Sequence, residues 1–168
     1  MNGMIKRIFY IIIAITLLGC SSKNSKEYAS VDEMVKETKT KVDFISSDDL
    51  KAVLDAHKHV YLIDCRESEE FDSACIKDAI NIPRGVIEGS ISEKAPKHRQ
   101  TVIIYCNNGD RSSLAAAILP HLKYSDVKVL EGGFDDWKTK YPDMIEIHPV
   151  RGDSQVKAPA KPSGGCGG

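Results

Sequence analysis

The residues best suited to chemistry form one short segment, Cys106-Asn107-Asn108-Gly109-Asp110-Arg111-Ser112, between an apolar run and a helical pattern. A loop that curls back after a strand points successive backbone N–H groups inward, and Gly109 permits the backbone angles of such a curl. These donors, the start of the next helix and the Arg111 guanidinium favour a thiolate over a thiol. The segment predicts a nucleophilic Cys106 with a lowered pKa, and an Arg111 that helps to hold an anionic substrate. The alternative is a cysteine that packs as a small hydrophobic residue beside an ordinary turn.

Strands and helices alternate on both sides of this loop. The predicted strands are 42–45, 60–63, 79–83, 101–105 and 127–130, and the predicted helices are 31–40, 50–56, 68–72, 112–122 and one ending near residue 142. Residues 60–63 and 101–105 are almost continuously apolar, which is typical of strands covered on both faces. The alternation predicts an α/β domain with a largely parallel central sheet and helices on both faces. Ligands of such domains bind beyond the carboxyl ends of the strands, so the turns after Ile63 and Tyr105 are the candidate sites.

Four segments are similar, in order and spacing, to rhodanese-like domains. They are Tyr61-Leu62-Ile63-Asp64-Cys65-Arg66, Ala79-Ile80-Asn81-Ile82-Pro83, the Cys106 to Arg111 loop, and Glu131-Gly132-Gly133-Phe134 with Trp137 and Pro142. The resemblance covers about residues 42–142. It implies one rhodanese-like three-layer domain with about five strands, in which Cys106 carries a persulfide and residues 107–112 surround the outer sulfur and the incoming anion.

The length of the loop separates two activities within this resemblance. Four residues lie between Cys106 and Arg111, as in sulfurtransferases, whereas related phosphatase and arsenate-reductase members have one more. The resemblance therefore implies transfer of a sulfane sulfur from a small anion such as thiosulfate to a thiol or cyanide, without a cofactor. Two alternatives stay open: a non-catalytic sulfur-carrier or sensing module, and a thiol-disulfide or detoxifying reductase that uses Cys75 or Cys166.

Asp64 and Arg66 occupy the positions of the Asp-x-Arg that usually ends the preceding strand in this family. We predict supporting roles for both, with Asp64 accepting backbone N–H bonds and Arg66 pairing with a carboxylate such as Glu70 or Asp72. Cys65 lies between them and points away from Asp64, so it is predicted to belong to the core.

The chain has five cysteines, at positions 20, 65, 75, 106 and 166, which are too few and too irregularly spaced for a disulfide scaffold. Cys75 stands where the family commonly reads Gly-His-Ile; it is either a bystander or a resolving cysteine that forms a disulfide with Cys106. Cys166 is flanked by glycines and is either an incidental thiol or an acceptor of sulfur from Cys106. The five histidines form no ligand pattern, and no metal site is predicted.

The N-terminus has the features of an export signal. Lys6 and Arg7 precede an apolar run of about eleven residues, Ile8 to Leu18, which at about 1.5 Å per residue is too short to span a bilayer. The following Gly19-Cys20 resembles the bacterial lipoprotein signal, which implies that Cys20 is lipidated and anchors the protein to the membrane. The expected location is the periplasmic or other extracytoplasmic face of the cell envelope.

The predicted organisation has four parts. Residues 1–19 are the signal peptide, 20–41 the lipidated cysteine with a polar tether and a short helix, 42–145 the rhodanese-like domain, and 146–168 a flexible tail rich in Gly, Pro and Lys. Removing the signal peptide takes two positive charges from a chain of formal charge −1. A weakly acidic domain without a basic patch argues against nucleic acid as a partner.

Overall fold

The computed structural model describes residues 26–148, and all of the following elements lie in this part of the chain. The strands are β1 Asp43–Ile45, β2 Tyr61–Asp64, β3 Cys75–Ile76, β4 Ile80–Asn81, β5 Val102–Tyr105, β6 Val127–Leu130 and β7 Ile145–Glu146. The α-helices are α1 Val31–Lys39, α2 Ser47–Asp55, α3 Ser68–Ser73, α4 Ile87–Lys94, α5 Asp110–Ala116 and α6 Gly133–Lys140. Short 3-10 turns occupy Arg84–Val86, Leu119–Leu122 and Pro142–Met144.

The chain divides into two compact units at the junction of Glu33 and Met34, within α1. In the first unit, the Ser30 hydroxyl oxygen accepts a hydrogen bond from the Glu33 N–H at 3.2 Å. The Glu33 carboxylate accepts one from the Ala29 N–H at 2.9 Å, which completes a reciprocal cap at the start of the helix. The sheet and the helices α2 to α6 belong to the second unit.

Five strands of the second unit form one sheet in the order β1-β6-β5-β2-β4, and every neighbouring pair is parallel. This confirms the predicted α/β fold with a five-stranded central sheet. Strand β5 lies in the middle, with Tyr105 opposite Asp64 of β2. The ends of β2 and β5 therefore meet at one edge of the sheet, and the segments that follow them are held side by side.

Alternate residues of β5 enter two separate cores. Val102 and Ile104 pack in the cluster that contains residues of α4 and α5, while Ile103 and Tyr105 pack in the cluster that contains residues of α2 and α6. All four side chains are buried. A strand covered on both faces explains why its sequence is continuously apolar.

The helix that follows Cys106 differs from its prediction. We expect a helix from Ser112 to about Leu122, but α5 runs from Asp110 to Ala116 and a 3-10 turn follows at Leu119–Leu122. Pro120 has no N–H to donate within an α-helix, which accounts for the early end. The earlier start shortens the loop after Cys106 to Asn107, Asn108 and Gly109.

The sequence does not predict the small antiparallel sheet of β3 and β7. Cys75 pairs with Glu146, and Ile76 pairs with Ile145. Each strand has two residues, which is too short for a periodic pattern to register. Helix α4 also falls in a stretch that the sequence leaves unassigned, and its buried residues are Ile87 and Ile91.

The predictions for residues 1–25 and 149–168 lie outside the described residues, and these include the signal peptide, Cys20, the tail and Cys166. They stay predictions. Among the helices of residues 26–148, none is both long enough and apolar enough to cross a membrane.

Gly133 lets the start of α6 approach the loop after Cys106. The Phe134 N–H donates to the Cys106 carbonyl at 2.8 Å, and the Asp135 N–H donates to the Asn107 carbonyl at 3.0 Å. Gly133 has φ +60°, and a Cβ there would lie 2.5 Å from the Asn107 carbonyl oxygen. A side chain at this position would therefore push the helix off the loop.

We predict that Gly133→Ala lowers the free energy of unfolding by about 3 kcal/mol, because it combines a left-handed backbone with overpacking against carbonyl oxygens. The matched control is Gly89→Ala, since a Cβ at this position of α4 meets nothing within 4 Å. The control should be neutral or more stable by up to about 1 kcal/mol. Urea denaturation followed by circular dichroism measures both, and equal stability of the two variants would contradict this role of Gly133.

Candidate active site

Cys106 directly follows β5, and Cys65 directly follows the neighbouring strand β2. The Cys65 N–H donates to the Tyr105 carbonyl at 2.9 Å, which extends the parallel pairing by one step beyond the strands. Both cysteines are 0 % exposed and share one core cluster. The buried position predicted for Cys65 is confirmed, and the structure adds that its thiol faces Cys106.

Hydrogen bonds hold the sulfur of Cys106 as a thiolate. The Cys65 thiol donates the bond with the largest effect, and the Ser112 hydroxyl, 3.5 Å from Cys106 Sγ, donates another. With the backbone N–H groups of Ser112 and Asn108, these donors outweigh burial and lower the pKa of the Cys106 thiol from 9.0 to about 5. The same interaction raises the pKa of Cys65 far above its usual range, so the pair keeps one proton, and it resides on Cys65.

Asn108 and Gly109 turn the chain from the sulfur into α5. Gly109 has φ +92°, a conformation that residues with a Cβ rarely adopt. The Asn108 Oδ1 lies 3.9 Å from Cys106 Sγ and accepts a hydrogen bond from the Asp110 N–H at 3.2 Å. Asn108 is exposed, whereas the neighbouring Cys106 is buried.

Asp110 faces away from the sulfur. Its carboxylate pairs with Lys39 at 2.6 Å and accepts a hydrogen bond from the Asn108 side-chain amide at 2.8 Å. The hydrogen bond from Lys39 is the main reason that the pKa of Asp110 is lowered. An ionised carboxylate with two partners cannot act as a general acid at neutral pH.

Arg111 is tied to Glu70 of α3. Its Nη1 and Nη2 donate to the two carboxylate oxygens of Glu70 at 2.7 and 2.9 Å. Glu70 also accepts a hydrogen bond from the Asn107 side chain at 2.9 Å, which connects it to the loop a second time. The Arg111 hydrogen bonds lower the pKa of Glu70 to about 2, so the pair stays charged at any physiological pH. The sequence places Arg111 at the site, but it gives no signal that Glu70 is its partner.

The partner predicted for Arg66 is wrong, because the guanidinium binds Asp64 rather than Glu70 or Asp72. Arg66 Nη2 donates to Asp64 Oδ2 at 2.6 Å, and Nε donates to both carboxylate oxygens at 3.0 and 3.1 Å. Asp64 also accepts from the Arg66 N–H at 2.9 Å. Both residues are buried, so each charge depends on the other.

The Arg66 side chain, paired with Asp64, contacts three segments around the site. The Arg66 guanidinium carbon lies 4.2 Å from the Phe134 ring centroid, and Nη2 donates to the Ala74 carbonyl at 2.7 Å. Arg66 Nη1 also donates to Asn107 Oδ1 at 3.4 Å. One side chain thus connects the segment before β3, helix α6 and the loop, which is a positioning role.

Cys75 lies on β3 and contacts His148, with its Sγ 3.3 Å from Nε2. It is buried, and burial raises its pKa to about 11. Within residues 26–148, the groups that hydrogen-bond to the Cys106 sulfur come from Cys65, Ser112 and Asn108, and Cys75 is not one of them. The structure therefore does not place Cys75 as a direct partner of Cys106, and Cys166 lies outside the described residues.

These features define a class of protein. It is a parallel α/β domain with a cysteine thiolate directly after its central strand and a helix that begins four residues after that cysteine. Residues 46–140 match the Rhodanese-like domain family. The chain belongs to the rhodanese-like family.

Three curated relatives with 35–38 % identical residues in the aligned part illustrate the family. The chain is 38 % identical over 96 residues to a sulfurtransferase of Allochromatium vinosum, covering 57 % of this chain and 88 % of the relative. It is 35 % identical over 82 residues to the thiosulfate sulfurtransferase GlpE of Pseudomonas savastanoi, covering 49 % and 76 %. The probable adenylyltransferase/sulfurtransferase MoeZ of Mycobacterium tuberculosis is much longer: a 36 % identical match covers 60 % of this chain but only 26 % of that relative.

Solved structures agree with the fold. A thiosulfate sulfurtransferase from Pseudomonas aeruginosa superposes with a TM-score of 0.56 at 29 % identity, covering 59 % of this chain and 19 % of that one. A protein from Rhodopseudomonas palustris described as a possible tyrosine phosphatase superposes with a TM-score of 0.59 at 22 % identity, covering 69 % and 94 %. The second likeness concerns the fold alone.

We predict that Cys65→Ala raises the pKa of Cys106 by one unit or more, because the thiolate loses its strongest donor. In the native protein, the alkylation rate of Cys106 should rise with pH around a midpoint near 5, as the thiol there has a pKa of about 5. The control is Cys65→Ser, whose hydroxyl can still donate. Iodoacetamide labelling across a pH series, with the Cys106 peptide followed by mass spectrometry, measures the midpoints. Identical midpoints in the native and Cys65→Ala proteins would refute the donor role.

Proposed function

We propose that this protein is a sulfurtransferase that carries a sulfane sulfur on Cys106. The observation that carries the proposal is the thiolate: Cys106 has a pKa of about 5 and accepts hydrogen bonds from Cys65, Ser112 and Asn108. A thiolate at neutral pH is the form that attacks sulfur. Membership of the rhodanese-like family and relatives described as thiosulfate sulfurtransferases support the same activity.

The reaction has two steps that balance without a cofactor. The Cys106 thiolate attacks the outer sulfur of thiosulfate, a new S–S bond forms, and sulfite leaves with the electron pair of the broken bond. An acceptor, a thiolate or cyanide, then attacks the outer sulfur of the persulfide and releases the Cys106 thiolate. The donors that stabilise this thiolate before the first step also stabilise it as the leaving group of the second step.

Substrate must reach a sulfur that is buried in this structure. The exposed Asn108 is 3.9 Å from Cys106 Sγ, and Arg111 and Asn107 are both held by Glu70. We propose that Asn108 moves aside to admit the substrate. An anion that enters there meets Arg111, whose guanidinium can leave one Glu70 oxygen to bind the anion.

Sulfur transfer agrees better with the loop than phosphate ester cleavage does. A phosphatase requires a group that protonates the leaving oxygen, and the loop's carboxylate, Asp110, is paired with Lys39. The interval of four residues between Cys106 and Arg111 also matches the shorter sulfurtransferase loop of the resemblance. Sulfur transfer needs no such acid, because both leaving groups depart as stable anions.

We predict that Cys106→Ser lowers thiosulfate:cyanide sulfurtransferase turnover at least about a thousandfold, because the nucleophile is lost. Thiosulfate should add about 32 Da to the native protein and not to this variant, as expected for a persulfide. The matched control is Cys75→Ser, which removes a buried thiol outside the loop and should keep both adduct and turnover. Thiocyanate formation and intact mass are the measurements.

The same measurements separate the proposal from its alternatives. An adduct on Cys106 without multiple turnover favours a sulfur carrier, and full turnover by Cys106→Ser rules out the assignment of this residue. Loss of turnover in Cys75→Ser or Cys166→Ser, with the Cys106 adduct retained, places a second thiol in the cycle and favours the reductase alternative.

We also propose that the protein is exported and anchored through lipid on Cys20. The support is the sequence Leu17-Leu18-Gly19-Cys20 behind a short apolar run, as in bacterial lipoprotein signals. Two or more acyl chains give lasting membrane attachment, at about 0.8 kcal/mol for each buried methylene. Membrane anchorage would then need no spanning helix.

We predict that Cys20→Ser abolishes incorporation of labelled fatty acid and moves the protein out of the membrane fraction of a bacterium that processes lipoproteins. The control is Cys166→Ser, which changes a cysteine far from the signal and should stay labelled and membrane-bound. Fatty-acid labelling followed by fractionation tests this, and a labelled, membrane-bound Cys20→Ser protein would show that the anchor lies elsewhere.

A further inference from the structure

The small sheet of β3 and β7 gathers three metal-binding side chains on one of its faces. Cys75 of β3 is directly opposite Glu146 of β7 in the antiparallel register, so their side chains point to the same side. His148 follows Glu146 by two residues and therefore shares that side. The Cys75 Sγ, one carboxylate oxygen of Glu146 and one ring nitrogen of His148 all lie within 4.8 Å of one another.

We propose that Cys75, Glu146 and His148 form a binding site for a divalent transition metal ion of the zinc class. Thiolate, imidazole and carboxylate are the three ligand types that zinc uses in proteins. Among residues 26–148, this is the group of three or more Cys, His, Asp or Glu side chains whose ligand atoms come together in this way. Cys106 takes no part in it.

The distances fit tetrahedral coordination. Zinc–ligand bonds of about 2.0–2.3 Å place neighbouring ligand atoms roughly 3.3–3.6 Å apart in a tetrahedron. The Cys75 Sγ and His148 Nε2 are 3.3 Å apart. Glu146 is exposed, so rotation of its side chain brings the carboxylate the remaining distance. The fourth position is left for water or a small anion.

The surroundings orient the histidine. The His148 ring stacks on Phe71 with centroids 5.1 Å apart, and the His148 backbone N–H donates to the Asp72 carbonyl at 3.1 Å. Ring and backbone are thus fixed with Nε2 directed at Cys75. A ligand that is held in place before the metal arrives loses less entropy on binding.

The local charge favours a cation. The charged groups with the largest effect on the Cys75 thiol include Asp64, Glu146, Arg66 and Asp72. Arg66 and Asp64 neutralise each other in their buried pair, which leaves the charges of Asp72 and Glu146. On binding, Cys75 gives its proton to solvent, and its sulfur forms the bond to the metal without any change of oxidation state.

Such an ion would join two segments that are 73 residues apart in the chain. Sheet β3–β7 has only two residue pairs, so its own hydrogen bonds hold it weakly. Metal bonds across such a long loop restrict the unfolded chain as well as stabilising the folded one. The bound ion would therefore stabilise the pairing of β3 with β7, with a solvent ligand in its fourth position.

Cobalt(II) tests the proposal, because its thiolate complexes have a charge-transfer band in the near ultraviolet. The reduced, chelator-treated full chain should bind one equivalent of Co²⁺ with this band, and Zn²⁺ should displace it. Cys75→Ser should lose the band. His148→Ala and Glu146→Gln should weaken Zn²⁺ affinity at least about tenfold, as measured by competition with a chromophoric chelator.

The controls are His121→Ala, which removes an exposed histidine, and Cys106→Ser, and both should bind metal like the native chain. Circular dichroism of each metal-free variant shows whether it folds; the Glu146 and His148 variants alter exposed or half-buried side chains and keep the test valid if Cys75→Ser misfolds. A charge-transfer band that persists in a folded Cys75→Ser protein, or unchanged Zn²⁺ affinity in both other variants, would overturn the site. Neither result bears on sulfur transfer by Cys106.

Discussion

The structure of the site depends on one proton shared unequally between two buried cysteines. Parallel pairing of β2 with β5 places Cys65 beside Cys106, and the hydrogen bond from the first sulfur to the second is the main reason that Cys106 is ionised. Burial by itself would do the opposite and favour the neutral thiol. The charge is therefore maintained by local donors, not by solvent, and it persists only while the two strand ends stay in register.

The rest of the domain keeps these donors in place. Ser112 comes from the first turn of α5, and α6 binds the loop carbonyls through Phe134 and Asp135. Arg66 donates a hydrogen bond to Asn107 of the same loop, and its charge is balanced by Asp64. Apart from the loop residue Asn108, the polar groups around the sulfur thus come from a helix and the end of a strand, and the loop does not have to hold its shape alone.

Much of this is predictable from the sequence, because the central strands are long apolar runs and the loop has a distinctive composition. The sheet and its buried central strands follow from local patterns. The partners of individual side chains do not follow from local patterns, because Glu70 is 41 residues from Arg111 and Cys75 is 73 residues from His148. Such contacts depend on how the strands and helices are arranged in the fold, and the spacing of residues along one sequence does not reveal them. Arg66 shows the converse error, since its partner is two residues away whereas the sequence suggests a more distant carboxylate.

The burial of Cys106 also affects how readily its thiolate is oxidised. A thiolate with a pKa of about 5 is permanently ionised at neutral pH and is the form that peroxides convert to sulfenic and then sulfinic acid. Cys106 is 0 % exposed, and under the proposed function an anionic donor that reached it would engage Arg111, whereas an uncharged oxidant would not. Burial beside a guanidinium would then favour anionic sulfur donors over the uncharged peroxides that inactivate a thiolate.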